Sequence, residues 1–600
     1  MGTILALLAL AVSPSARTID ATSNGATVIV NGLPIHEVLT PAGGLSPVQR
    51  AERIVEILLS VDDEAAFTEQ QGEYWLVKMD DQVVLTVTVA EALASETTRL
   101  DLATAVASSI NRAAALGPLD IDPNRIELSP GASAGVSLIG YAARKAVVTV
   151  TPQTVCDVVQ RDWSLRITGR VTGEAVVTVK TGSVTRILAV RVAPPAGELP
   201  DSVEAIVLGR PADASLVAAT IRSAVMAKIR AGADANVQFI RESGTPQLVP
   251  SQRATMNPLV MVSAPGHLTT SREVAVNVKN VGAEAFAEAE LWYSNHPEQV
   301  TAPQRLYWAK LEPGSGARLL YHHRNRSSRP MIMQFVLANT GDEPVRVAIS
   351  MGESDPVENP TLAGYQAGEM YLKRWAKSSA AVATVPAHSM VPLSIRRLGP
   401  TQTMSGLCTL RLMGNSGNLL LIGDAFWATD VDQQWKDAAK EPHTWASILP
   451  RKLHEFPMNL TGQRSHTYPD PTKRIHVTYE TGGQFGFVRF GEDAIGRSDG
   501  QGSLSGNFGV VYNVTVRMVN TTSAPVEIVI EYEASAGYGG AVFRIDGLAK
   551  RTRMLQPKES EIVARYVVQP GQEKVVTLET IPLSGGSYPT TLTIRPAGSR

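Results

Sequence analysis

Gln334 to Ser350 reads QFVLANTGDEPVRVAIS, and this stretch decides the fold class. Phe335-Val336-Leu337-Ala338 runs into Asn339, and five residues later Pro344 opens Val345-Arg346-Val347-Ala348-Ile349 with period-2 alternation. Such alternation puts one face of a strand on a core and the other in water, as in an antiparallel sheet. Proline is tolerated at the first residue of a strand, where its missing N–H costs least. An Asn at the corner satisfies the backbone of its own turn. The design recurs at Val516-Arg517-Met518-Val519-Asn520 with Pro525 before Val526-Glu527-Ile528-Val529-Ile530. A looser copy has Val276-Asn277-Val278-Lys279 before Asn280, with Ala285-Phe286 in place of Pro-Val. The expected unit is a repeated β-hairpin with Val347 and Ile528 facing inward and Lys279, Arg346 and Arg517 facing solvent. Such a unit packs; it carries no chemistry of its own.

Six hundred residues exceed a single core, so about three to six domains are expected. Hydrophobic residues make up 44% and charged residues 19%, the composition of a folded chain. Lys+Arg 55 against Asp+Glu 57, without blocks of either sign, removes the electrostatic footprint of a nucleic-acid binder. Cys156 and Cys408 are the only cysteines, which excludes a disulfide scaffold or a cysteine metal cluster and leaves open whether the two pair. Ile4 to Val12 is an unbroken apolar run followed by Ser13-Pro14-Ser15-Ala16, the pattern of a signal peptide over residues 1–16, although Met1-Gly2-Thr3 supplies no Lys or Arg. The run is too short to cross a bilayer, and no later segment is long enough, so an integral membrane protein is not expected.

In chain order, residues 25–118 read as an α/β domain. Ser46, Pro47 and Gln49 form a capping box at the head of a helix that buries Ala51, Ile54, Val55 and Leu58. Tyr74 to Lys78 and Val83 to Val89 form a hairpin across Asp80-Asp81, and a second helix buries Leu102, Val106, Ile110 and Ala113. The order Gly32-Leu33-Pro34-Ile35, Gly44-Leu45-Ser46-Pro47, Arg50-Ala51-Glu52-Arg53-Ile54, Val84-Leu85-Thr86-Val87-Thr88 and Leu102-Ala103 to Ile110 resembles the small extracytoplasmic domain that precedes the membrane portion of some bacterial mechanosensitive-channel-like proteins. That resemblance implies an exported bacterial protein; the channel helices are absent, and the module brings no catalytic residues.

Short strands at roughly ten-residue spacing make 126–197 an Ig-like β-sandwich. It weakly resembles bacterial Ig-like modules and the N-terminal modules of secretins. Residues 200–245 read as a small β-α-β module. Residues 258–425 form a β-sandwich region with two of the hairpins, 426–480 an irregular Trp- and His-rich connector, and 481–600 a further β-sandwich. The fold class is therefore multi-domain and mostly β, with antiparallel Ig-like β-sandwiches in the C-terminal half behind an N-terminal α/β domain and the β-α-β module.

Few constellations point to chemistry. Gly131-Ala132-Ser133-Ala134-Gly135 matches G-x-S-x-G, but Val136-Ser137-Leu138 continues as a strand where a nucleophile elbow needs a helix, so a turn is expected. His322 and His323 point to opposite faces of a strand and cannot share an ion; a polar strand end is expected. The connector gathers candidate ligand-binding residues: Trp427, Asp430, Asp432, Trp435, His443, Trp445, His454 and His466, flanked by Asp424 and His476. Indole faces beside carboxylates suit sugar stacking, while the His spacings match no helical metal site. No catalytic residue, metal site or cofactor is assigned. The resulting expectation is a secreted, periplasmic or cell-surface bacterial protein acting as a structural, adhesive or assembly module, with a protein or cell-surface glycan as partner. The alternative is a carbohydrate-binding accessory protein or enzyme with its site in 424–476, and packing of the three indoles against neighbouring sandwiches is the expected outcome.

Overall fold

Strands form about half of the chain, and the protein is multi-domain and mostly β. This computed structural model describes residues 19–61, 64–242, 244–282, 288–375, 377–414, 417–439, 446, 448–453 and 466–599. The expected signal peptide lies outside the described residues. Two compact units emerge, one running to Pro195 and including Gly266–Leu268, the other comprising the remainder.

In the first unit, Ser46 caps the helix Pro47–Ser60 and the Gln49 side chain returns to the Ser46 N–H at 2.9 Å, so both orphan donors are satisfied. The helix Arg99–Ala114 buries Leu102, Val106, Ile110 and Ala113. Strands Tyr74–Met79 and Gln82–Val87 pair across Asp80-Asp81 as expected. Beyond them, two four-stranded sheets form a sandwich around Val136, Leu138, Leu165, Ile167, Val177 and Leu188. Ser133 opens the strand Ser133–Ile139, so only the head of G-x-S-x-G, at Gly131, lies in a turn, Ser133 to Gly135 are strand, and the motif is not an elbow.

The second unit holds three sandwiches. The first packs Ser202–Val207, Ala275–Asn280 and Arg253–Met256 against Asn236–Arg241, Leu259–Ser263 and Thr270–Glu273, with the helix Ala214–Met226 alongside. The strand-helix-strand order of 200–245 is present, but its two strands lie in different sheets. The second sandwich is built on a sheet centred on Val345–Glu353, Thr403–Met413 and Gly316–Asn325, facing one centred on Leu419–Trp427, Met331–Asn339 and Ser389–Leu398. The third begins at Thr472, inside the expected connector, and sets Thr472–Glu480, Val511–Val519 and Glu573–Thr580 against Thr590–Pro596, Val526–Glu533 and Ser560–Val568. The sheets are not wholly antiparallel. In each of the three, the opening strand runs parallel to the strand that leads to a corner Asn.

The repeated unit is not a hairpin. Met331–Asn339 and Val345–Glu353 lie in opposite sheets of one sandwich, as do Val511–Val519 and Val526–Glu533, so each corner is an arch that carries the chain across the core. A hairpin pairs its own arms, whereas an arch leaves the corner carbonyls facing inward and in need of donors. The Asn supplies them. Asn339 is fully buried; its Nδ2 donates to the carbonyls of Glu343, Val385 and Pro386 at 2.8, 3.2 and 3.1 Å, and its Oδ1 accepts the Gly341 N–H at 3.0 Å. Asn520 donates to the Ala524 and Val568 carbonyls at 2.8 and 2.9 Å and accepts from the Thr522 N–H at 2.9 Å. Asn280 does the same toward Gly209, Leu248 and Gly282, while its Ala285-Phe286 arm lies outside the described residues. A fourth copy, Asn325 with Pro330, was not read from the sequence; it donates to Arg329, Leu398 and Gly399.

A second arch completes the clasp in each sandwich. Pro250-Ser251-Gln252, Pro400-Thr401-Gln402 and Pro570-Gly571-Gln572 each place their middle residue in the left-handed region, at φ 69°, 66° and 68°. The Gln carbonyl accepts the N–H of Asn280, Asn325 or Asn520 at 2.9, 2.9 and 3.0 Å, and the middle N–H returns to the carbonyl of the same Asn. Val347 and Ile528 both face inward and are fully buried, and Arg346 and Arg517 are exposed as expected, whereas Lys279 is half-buried.

Candidate functional site

The described members of the Trp/His group fall into separate settings. Asp432 caps the short helix Gln433–Ala438, accepting the Trp435 N–H at 2.9 Å, and pairs with Arg451 at 2.7 Å, which holds its carboxyl below the usual range. Trp435 is buried against the second sandwich: its Nε1 donates to Gln334 Oε1 at 2.5 Å, and the Arg451 guanidinium lies 4.0 Å from its ring centroid. Its apolar neighbours include Ile332, Val336, Ile422 and Ile448. Trp427 ends its strand half-buried, with the Arg329 guanidinium 4.6 Å from its ring, and Asp430 is exposed, accepting a hydrogen bond from Thr429. Asp424 is buried beside Arg305 at 2.5 Å; burial raises its pKa. His466 lies elsewhere, stacked on His296 at 4.1 Å between centroids, and burial takes its pKa down to about 4. His443, Trp445 and His454 lie outside the described residues. His476 is exposed on the strand Thr472–Glu480.

His322 and His323 are not a polar strand end. Both are buried, but on opposite faces of their strand: His323 points between the sheets of the second sandwich, stacked near Phe335 and bridging Ser294 and the Pro297 carbonyl at 2.9 Å each, while His322 shares the other face with Arg318 and Leu320. Burial lowers their pKa values to about 3 for His322 and about 4 for His323. Neither ring nitrogen of His322 has a partner among the described residues. Cys156 and Cys408 are both buried free thiols. Among the described residues no group of three or more His, Cys, Asp or Glu is arranged to hold a metal ion.

A cleft of about 730 Å³ was not read from the sequence. One wall is the helix Pro360–Trp375, which contributes Gln366, Glu369, Met370, Lys373 and Arg374 at helical spacing. The helix can sit there because its opposite face is small: a Cβ on Gly364 would come within 1.8 Å of the Ser584 carbonyl oxygen, and one on Gly368 within 2.2 Å of Leu583. Asp213 and Ser215 at the head of the helix Ala214–Met226, Glu353 to Asp355, and the turn Gly547-Leu548-Ala549 complete the lining. Most of its charges are already committed. Lys377 pairs with Asp213 at 3.0 Å, and Glu369 with Lys373 at 2.7 Å and Arg551 at 3.0 Å. Glu353 is buried and takes hydrogen bonds from Tyr321, Ser394 and, at 2.8 Å, Arg396 Nε. The sequence signal existed in the Asn359-Pro360 start and the polar spacing that follows, on a helix whose buried face mixes Ala363, Gly364, Ala367 and Gly368 with Tyr365, Tyr371 and Leu372.

A family model described as Domain of unknown function (DUF8459) matches residues 27–116. It covers the segment that resembles the channel-associated domain, and its description lends that resemblance no support. No curated protein matches the chain. Domains 5-6 of the S-layer protein SbsC are similar at 13% identity, over 26% of this chain and 97% of that one, with a TM-score of 0.12. The tandem Ig repeats of Dlar are similar at 14% identity, over 28% and 100%, with a TM-score of 0.13. SGBP-B of the Bacteroides ovatus mixed-linkage glucan utilization locus, in complex with a heptasaccharide, is similar at 10% identity, over 47% and 70%, with a TM-score of 0.11. The assignment of the sandwiches rests on the strand pairing described above.

Proposed function

We infer that the chain is an exported bacterial protein of the periplasm or cell surface that serves as a structural, adhesive or assembly module through its sandwich surfaces. The observation that carries this reading is the junction between the second and third sandwiches. Arg318, fully buried, pairs with Glu288 at 2.6 Å and donates to the carbonyls of Pro471 and Gly509 at 3.2 and 2.8 Å. Tyr371 on the helix Pro360–Trp375 joins the same network, bonding Thr409 at 2.5 Å, which in turn donates to Glu288 at 2.7 Å. The helix also reaches the third sandwich through Tyr365, whose hydroxyl donates to the Thr552 carbonyl. A buried ion pair adds little net stability over an apolar substitute, yet breaking it costs about 3–5 kcal/mol, so it fixes one geometry. Sandwiches locked in this way suit a chain that holds surfaces at a set spacing. Among the described residues no helix is long and apolar enough to cross a membrane.

No observation on the described residues favours the carbohydrate-binding alternative. Fractionation of the native host, with mass spectrometry of the mature chain, tests the proposal. The expected result is protein in the envelope or medium lacking residues 1–16. Cytosolic protein with an intact N-terminus contradicts it.

A further inference from the structure

The cleft beside the helix Pro360–Trp375 holds three groups whose bonding capacity is unfilled among the described residues. Arg374 donates to the Met351 carbonyl and makes no ion pair; the acid that acts on it electrostatically, Asp213, is already paired with Lys377. Asp355 is exposed and makes no ion pair. Gln366 Oε1 is buried without a hydrogen-bond partner. Around them stand Met370 and Leu548, both exposed and apolar. A guanidinium without an acid calls for a carboxylate or phosphate, and an orphan amide oxygen calls for an N–H. With Glu353 neutralised by Arg396, the lining carries Asp213, Asp355 and Glu369 against Lys373, Arg374 and Lys377, three acids to three cations, which disfavours a doubly charged anion and suits a ligand with one negative and one positive end.

We propose that this cleft binds a short peptide, with its terminal carboxylate on Arg374, its ammonium on Asp355, a backbone N–H on Gln366 Oε1 and an apolar side chain against Met370 and Leu548. This goes beyond the module reading and does not depend on it. At about 730 Å³ the cleft falls within the usual size of small-molecule pockets.

The test titrates the full-length protein with alanyl-leucine, its C-terminal amide, its N-acetyl form and inorganic phosphate, by calorimetry and saturation-transfer NMR. Loss of the charge-assisted bonds to Arg374 should weaken the amide about tenfold or more, and loss of the ammonium should weaken the acetyl form several-fold. Arg374→Gln should abolish the difference between acid and amide. Because Arg374 also holds the Met351 carbonyl, Asp355→Asn on an exposed side chain serves as the second variant: it should make the free and acetylated peptides bind alike while leaving the unfolding midpoint in place. The proposal is overturned by equal binding of acid and amide to the native protein, by phosphate displacing the peptide, by undiminished preference for the free amine in Asp355→Asn, or by no saturation below about 10 mM.

Discussion

Replacing Asn520 separates a clasp from an ordinary turn. Its side chain accepts the Thr522 N–H and donates to the Ala524 and Val568 carbonyls, so Asn520→Ala removes a partner from three backbone groups, of which the Ala524 carbonyl keeps the Thr522 hydroxyl at 3.0 Å. A buried unpaired group costs about 1–3 kcal/mol, and the corner at Thr522 to Ala524 is open enough for water to compensate in part. A loss of about 3 kcal/mol follows, equivalent to about a hundredfold in an opening equilibrium. Asn520→Asp is the sharper variant. Asp closes the same local turn as Asn, accepting the Thr522 N–H. It has no donor for Val568, and at neutral pH it sets a carboxylate against two carbonyl oxygens. The clasp therefore predicts that Asp is at least as damaging as Ala at pH 7. Hydrogen exchange of the Val511–Val519 and Ser560–Val568 amides in the full-length protein measures this locally, and both variants should exchange about a hundredfold faster. Native-like exchange in Asn520→Asp would refute the clasp and leave only a turn.

Val347→Ala and Ile528→Ala each remove a fully buried branched side chain and should cost about 2–4 kcal/mol in chemical denaturation; a loss under about half a kcal/mol contradicts the inward register. Trp435→Ala removes a buried indole and its bond to Gln334, and a loss of about 3–5 kcal/mol is expected by thermal or chemical unfolding. Thr401 is β-branched at φ 66°, so Thr401→Gly should stabilise the second sandwich by about 1 kcal/mol, read as a raised unfolding midpoint. His322 is buried neutral with its pKa lowered to about 3. The unfolded chain therefore binds a proton below about pH 6.5 that the folded chain refuses until about pH 3, so stability falls as pH drops through that window. His322→Met should flatten the fall, and an unchanged acid profile counts against the buried neutral ring.

Local pattern carried the reading wherever local physics decides. Ser46, Pro47 and Gln49 name a helix start because the capping box is closed within four residues, and Val347 and Ile528 name an inward face because alternation fixes it. The corner Asn was legible as a corner, yet the sequence around Asn339 and Asn520 cannot distinguish a hairpin from an arch. Both alternate in the same way, and the carbonyls that the Asn serves, at Val385 and Val568, lie 46 and 48 residues away. The recurring Pro-x-Gln turns were the available signal for pairing the two arches. Residue type marks His322 and His323 as polar, whereas their strand is covered on both faces and buries one ring on each. The Trp/His segment drew notice by composition, yet Trp435 is held by Gln334, the first residue of the stretch that decides the fold. The cleft is hard to read because the buried face of its helix is half small residues, Ala363, Gly364, Ala367 and Gly368, which weakens the apolar periodicity of Tyr365, Tyr371 and Leu372.

The central claim is that the second and third sandwiches act as one rigid body. Native-state hydrogen exchange of the full-length protein across a denaturant series tests it directly, by following the buried amides of Gly316–Asn325 and Val511–Val519. Arg318, Glu288 and Tyr371 tie the two cores, so both strands should lose protection in one step with the same midpoint and denaturant dependence, and Arg318→Met should leave that step single while shifting it. Loss of protection in Val511–Val519 at clearly lower denaturant than in Gly316–Asn325 would show independent beads and contradict the account.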